Sequence, residues 1–208
     1  MKESYLSVQG VAENTIVIER SKFICTLREV ADEEAAKQFI AGMRKTHSLA
    51  THNCYAYIAD EIGNVMKYSD DGEPQGSAGI PTLDVLRKSG VSNAVIVTTR
   101  YFGGILLGTG GLVRAYTAAG SGALQQAELV SMRLVVDCSV RVSYAQFEQA
   151  QRIIAAAETR LDEPVFDDAV TLCWRMPAGQ EGALCTALNE LTRGGAEVEI
   201  SKPQYAPF

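Results

Sequence analysis

Two arginines, Arg100 and Arg114, bracket a nine-residue segment, Gly103 to Gly111, in which five residues are glycine: Gly103, Gly104, Gly108, Gly110 and Gly111. Glycine at this density lets the main chain take positive-φ conformations and come close to another molecule, at a cost in folding entropy. Successive backbone N–H groups entering a helix form an anion-binding concavity that requires no particular side chain. Guanidinium groups on either side would grip the same anion with forked donors. Upstream, the acidic turn Ser69-Asp70-Asp71-Gly72-Glu73-Pro74 offers three carboxylates. If Asp70, Asp71 and Glu73 neutralise the arginines, the glycines serve turns and helix packing alone. The residue types leave both readings open.

More specialised chemistries lack required residues. Gly103-x-x-x-x-Gly108 has the opening spacing of a nucleotide-phosphate loop, but Thr109-Gly110 stands where Lys-Ser/Thr is needed. Gly108-x-Gly110-x-x-Val113 begins like a dinucleotide fingerprint and ends on valine. The acidic turn matches no known cation loop, and His47-x4-His52-x-Cys54 lacks a fourth zinc ligand. We therefore expect no catalytic residue, no metal and no cofactor. His52 and Asn53 are expected to line the same cleft as the acidic turn. Tyr101 and Phe102, aromatics beside Arg100, suit stacking on a base or contact with a protein partner.

The stretches Thr51-His-Asn-Cys-Tyr-Ala-Tyr57, Ser69–Pro74, Gly76-Ser-Ala-Gly-Ile-Pro81 and Thr99–Tyr116 resemble, in order, the core motifs of the IMPACT family in its bacterial, two-domain YigZ-type form. The resemblance implies an α+β protein. Its first domain would be like domain 2 of ribosomal protein S5, and its second like the last domain of the translocating elongation factor. It also implies a role in translation: eukaryotic members compete for a partner of a stress-sensing kinase, using an additional N-terminal domain not seen in this sequence. The expectation is a non-enzymatic, translation-associated binding protein whose glycine-rich cleft takes RNA, the ribosome or a protein. One alternative is an enzyme acting on a phosphorylated small molecule or nucleotide, with Asp71 as base and Arg114 as clamp. The other is a regulator that binds only protein.

Composition bounds these readings. At 208 residues and 47% hydrophobic content the chain is long and apolar enough for one large domain or two small ones. No apolar run spans a bilayer and the start lacks a signal core, so a soluble, cytoplasmic protein without a membrane partner is expected. Five scattered cysteines without C-x-x-C spacing suit reduced thiols. The net charge of −6 supplies no long-range pull on phosphates, so DNA is not expected and any RNA contact must be local.

Periodicity supplies the elements that would position these residues. A hairpin is expected over Ile16–Ile18 and Lys22–Arg28, a helix from Asp32 to Lys45, and a buried strand from Asn53 to Ala59. Next come a loop from Pro74, a helix from Pro81 to Lys88, and a central strand from Ala94 to Thr99. A helix from Gly111 to Ala127 then packs through Ala115, Ala118, Ala119, Gly122 and Ala123. This first domain, 1–130, has the order ββαβαβα. In the second, 131–208, alternation over Leu134–Val142 and a Ser143-x-x-Gln146 capping box open a βαββαβ, ferredoxin-like order. Its remaining elements are a strand at Leu161–Phe166, another at Val170–Met176, a helix ended by Gly194, and a last strand with Ala196, Val198 and Ile200.

Overall fold

A computed structural model describes residues 3–195 and 197–208. The chain divides into two compact units, Met1–Ser131 and Met132–Phe208.

In the first unit, β1 (Ser4–Gln9) is held by the loop at Val91–Asn93, where Asn93 Nδ2 donates to the Tyr5 hydroxyl. Sequence periodicity did not reveal this strand. β2 (Val11–Ile18) and β3 (Ser21–Glu29) pair antiparallel, and the tight turn between them holds Glu19 and Arg20 at φ 45° and 62°. Such a left-handed two-residue turn matches the twist of the strands it joins. α1 (Glu33–Thr46) begins on Asp32, whose side chain accepts from Ala35 N, and carries acids in its first turn and bases in its last. Both arrangements oppose the helix dipole. β4 (His52–Ile58), the short β5 (Met66–Ser69), α2 (Gly79–Ser89), β6 (Ala94–Tyr101) and α3 (Gly108–Gln126) follow. The sheet order is β2-β3-β6-β4-β5, antiparallel throughout. β6 is central, as its unbroken apolar run requires.

Alternation along the strands sends two sets of side chains to opposite faces. Phe23, Cys25, Leu27, Cys54, Ala56, Ala94 and Ile96 pack beneath α2 and α3. Val95, Val97 and Tyr57 pack on α1. α3 packs inward through Ala115, Tyr116, Ala119 and Ala123, and through Gly120 against Val85 of α2, while Ala118, expected on this face, is exposed. Gly122 allows close approach, since a Cβ there would lie 2.2 Å from Asn14 Nδ2.

The second unit opens with β7 (Glu128–Val142), whose early residues still belong to the first unit. α4 (Tyr144–Ala155) begins with the expected Ser143/Gln146 capping box. The strand expected over Leu161–Phe166 is two short pieces, β8 (Arg160–Leu161) and β9 (Val165–Phe166), interrupted at Pro164, which has no N–H for a ladder. β10 (Val170–Pro177), α5 (Glu181–Thr192), β11 (Val198–Ile200) and β12 (Gln204–Pro207) complete it. Ala196, expected in the last strand, lies outside the described residues. β7 pairs with β10 on one side and with β11 and β12 on the other, and β10 pairs with β8 and β9. This is the ferredoxin-like order. Trp174 is 1% exposed in the core between this sheet and its two helices.

Candidate functional site

Strand register builds the floor of the site. Phe23, Arg100 and His52 face one another across β3, β6 and β4, forming one row on the α3 side of the sheet. Beneath the first turn of α3 this row borders a cleft of about 400 Å³ lined by His52, Glu73, Pro74, Arg100, Phe102, Leu106, Leu107, Gly108, Thr109 and Leu112. Larger hollows lie elsewhere, one of about 490 Å³ between α2 and α3. The cleft under α3 combines a buried ion pair with a helix N-terminus.

Glu73 is the hub. One carboxylate oxygen, Oε1, accepts from Arg100 Nη1 at 2.7 Å and from the Tyr116 hydroxyl at 2.8 Å. The other, Oε2, faces His52 Nε2 at 3.8 Å. Arg100 and Glu73 are 5% and 8% exposed, so their charges meet largely out of water. Arg100 Nη2 donates to Ser21 Oγ, its guanidinium lies between the rings of Phe23 and Phe102 at 5.3 and 5.4 Å, and its Nε has no partner. Burial first, then the neighbouring Cys54 and Glu73, push the Tyr116 hydroxyl pKa upward, so it stays a donor.

The other acids of the turn do different work. Asp70 Oδ1 accepts from Ala78 N and Gly79 N at the entry to α2, and Oδ2 from Gly76 N. Burial works against this carboxylate, yet the three backbone donors outweigh it and hold its pKa below the ordinary value. Asp71, at φ 45°, accepts from Arg44 Nη2 at 2.6 Å and Asn53 N at 2.7 Å, while its carbonyl meets His52 Nδ1 at 2.9 Å. Arg100 is thus neutralised by Glu73 alone, and Asp71 pairs with an arginine of α1.

The remaining expected site residues separate. Asn53 accepts from Thr99 Oγ1 and Tyr101 meets His47 Nδ1, both on the α1 side of the sheet, away from the cleft. His47, His52 and Cys54 accordingly do not converge as metal ligands. Gly103 is required sterically, because a Cβ there would lie 2.0 Å from the Arg20 carbonyl carbon. Gly104 and Gly108 sit at φ 86° and 68°. A Cβ at Gly111 would lie 3.1 Å from Leu107 Cβ, whereas one at Gly110 would meet only Arg114 Nη1, at 3.7 Å. Arg114 does not line the cleft: α3 starts at Gly108, three residues before the expected Gly111, and carries this side chain round to the exposed surface. The pocket of positive potential expected between two guanidinium groups is therefore a cleft with a charge-balanced floor and one helix end.

That helix end is open. Leu107 at the N-cap position makes no side-chain cap, so the first amides of α3 lack the usual acceptor. In the same cleft Phe102 is 44% and Leu106 87% exposed. An oxyanion at the amides, with a flat or apolar group against Phe102, suits this arrangement. Sequence reasoning did not place Leu106, Leu107, Thr109, Leu112 or Tyr116 in the site. The spacing of Leu112 and Tyr116, one helical turn apart, was the available signal for the last two.

Comparison with known proteins adds lineage to this geometry. Residues 19–124 match the model of the Impact N-terminal domain, and 140–194 match a domain of unknown function, DUF1949. The chain is 36% identical to IMPACT family member YvyE of Bacillus subtilis over 99% of its length and 94% of that protein. It is 33% identical to IMPACT family member YigZ of Escherichia coli over 87% of its length and 90% of that protein. Rabbit Protein IMPACT matches at 36% identity over 43% of this chain and 29% of its own length. A solved structure titled as a hypothetical protein superimposes with a TM-score of 0.65 at 31% identity, covering 97% of this chain and 99% of that one.

Proposed function

This chain belongs to the IMPACT family, and from that premise and the cleft we propose that it is a translation-associated binding protein that takes a single strand of RNA, free or in the ribosome. A phosphate sits at the open amides of Gly108 and Thr109, and a base lies on the exposed face of Phe102. The observation that carries the reading is the uncapped N-terminus of α3 in one cleft with a half-exposed aromatic ring. Base-on-aromatic stacking contributes about 1–3 kcal/mol per base and tolerates any sequence. The acid at Glu73 is held by Arg100 and Tyr116 and serves the floor of the cleft.

Binding of a labelled single-stranded RNA, and co-sedimentation with ribosomes, should weaken between about 50 and 200 mM salt. Thr109→Asp places an acid in the first turn, which favours the helix and repels the phosphate, so it should bind RNA at least about tenfold more weakly without loss of stability. Phe102→Ala should also weaken binding. RNA and ribosome affinity absent at low salt would overturn the proposal. The 87% exposure of Leu106 favours a second reading, a protein partner seated on the lip of the cleft. That reading predicts binding insensitive to salt and lost in Leu106→Glu.

A further inference from the structure

The floor of the cleft holds one buried charge of each sign and one group able to change its charge. Arg100 and Glu73, with side chains 6% and 3% exposed, neutralise each other. His52 stands beside them. Its Nδ1 meets the Asp71 carbonyl oxygen at 2.9 Å, and because a carbonyl only accepts, the Nδ1 proton is fixed there. Nε2 is then the basic nitrogen, turned towards Glu73 Oε2 at 3.8 Å. The other charged and titratable groups around it are committed. Arg100, opposite on β6, is bound to Glu73, and Tyr116 of α3 donates to the same oxygen. The Asp71 carboxylate is taken by Arg44 and Asn53 N, and Cys54 donates to Tyr116 and to the Asp70 carbonyl.

An anion at the α3 amides therefore meets a floor with no net charge, in which the carboxylate lining the cleft, Glu73, repels it. A proton on His52 Nε2 reverses this balance: the imidazolium faces Glu73 Oε2 and the floor carries one positive charge. Arg100, which lines the cleft, also has unused donor capacity. Its Nε is a buried donor with no partner on a side chain more than nine-tenths buried that lines the cleft. We infer that the cleft takes a phosphodiester, one negative charge, together with one proton carried by His52. This rests on the RNA reading for the source of the phosphodiester, but the proton linkage is a property of the cleft itself.

The chain has two histidines, so both imidazole resonances are followed by proton NMR without ambiguity. Dimethyl phosphate, singly charged throughout the range, is the probe. Its addition should raise the titration midpoint of His52 and leave that of His47, which His47→Gln identifies. Above that midpoint the affinity should fall by about tenfold per pH unit, because one proton is bound with each anion. His52→Gln should bind with an affinity flat between about pH 5 and 8. Its unchanged urea midpoint would show that it folds. Dimethyl phosphate binding that ignores pH, or no binding at about pH 5, overturns the inference. RNA that binds with pH-independent affinity overturns it while leaving the RNA reading standing. Proton-linked uptake of dimethyl phosphate without RNA affinity does the reverse.

Discussion

At the scale of single residues, Glu73 decides whether the floor of the cleft exists. Glu73→Gln keeps an oxygen for Tyr116 but leaves the Arg100 charge buried and uncompensated. A loss of about 3–5 kcal/mol in stability is expected from urea unfolding, and a change under about 1 kcal/mol would show that the pair does not hold the floor. Asp70 makes a separate prediction. Asp70→Asn presents an N–H₂ group to a site that offers only donors, and should cost about 1–3 kcal/mol. The folded-state pKa of Asp70 lies below the ordinary value. Its contribution is therefore present above the unfolded-state pKa and lost as pH falls through the folded-state pKa. The gap in urea midpoint between wild type and Asp70→Asn should close on acidification. At this scale the sequence was only partly legible. It supplied the right carboxylates and Arg100, but not who pairs with whom, because Arg44 reaches Asp71 across 27 positions and Tyr116 reaches Glu73 across 43.

Among elements, the glycine segment divides by cause. Gly103 lets the chain leaving β6 pass against the backbone of Arg20 and Ser21, and Gly103→Ala should destabilise by more than about 3 kcal/mol, since backbone on both sides must move. Gly110→Ala meets no obstacle and replaces a helical glycine, so it should leave stability unchanged or raise it by up to about 1 kcal/mol. Thermal unfolding of the two variants tests the division. If Gly110→Ala folds well yet loses RNA binding, Gly110 is there for the ligand. Elements with strong patterning were readable in advance: α1 from its terminal charges, α4 from its capping box, β6 from Ala94-Val-Ile-Val97. Those that escaped have no such pattern. β5 is four residues, Met-Lys-Tyr-Ser, with three of them exposed, and exists because β4 offers an edge. β12, at the chain terminus, exists because β7 does. α3 begins earlier than patterning suggests because the glycines of its first turn carry no side chain to show a helical period.

For the molecule as a whole, the thiols give a global readout. Burial pushes the Cys25 pKa up to about 12 and the Cys138 pKa up to about 11, and raises that of Cys54 as well. Only Cys173 and Cys185 are partly accessible. A thiol reagent should titrate at most two groups quickly in the native protein and all five in denaturant, with or without prior reductant. No helix among the described residues is long and apolar enough to cross a membrane. The two-part α+β organisation was legible because each part has its own hydrophobic pattern. The charge state of the cleft was not, since net charge says nothing about which ions are buried together.

The row formed by Phe23, Arg100 and His52 draws on three strands far apart in sequence, and a slip of one position in any of them would turn its member to the opposite face of the sheet. No fragment or half-assembled intermediate can therefore present this surface. Occupancy of the cleft should track the fraction of chains whose first sheet is completely assembled, which makes a bound ligand a gauge of nativeness during refolding.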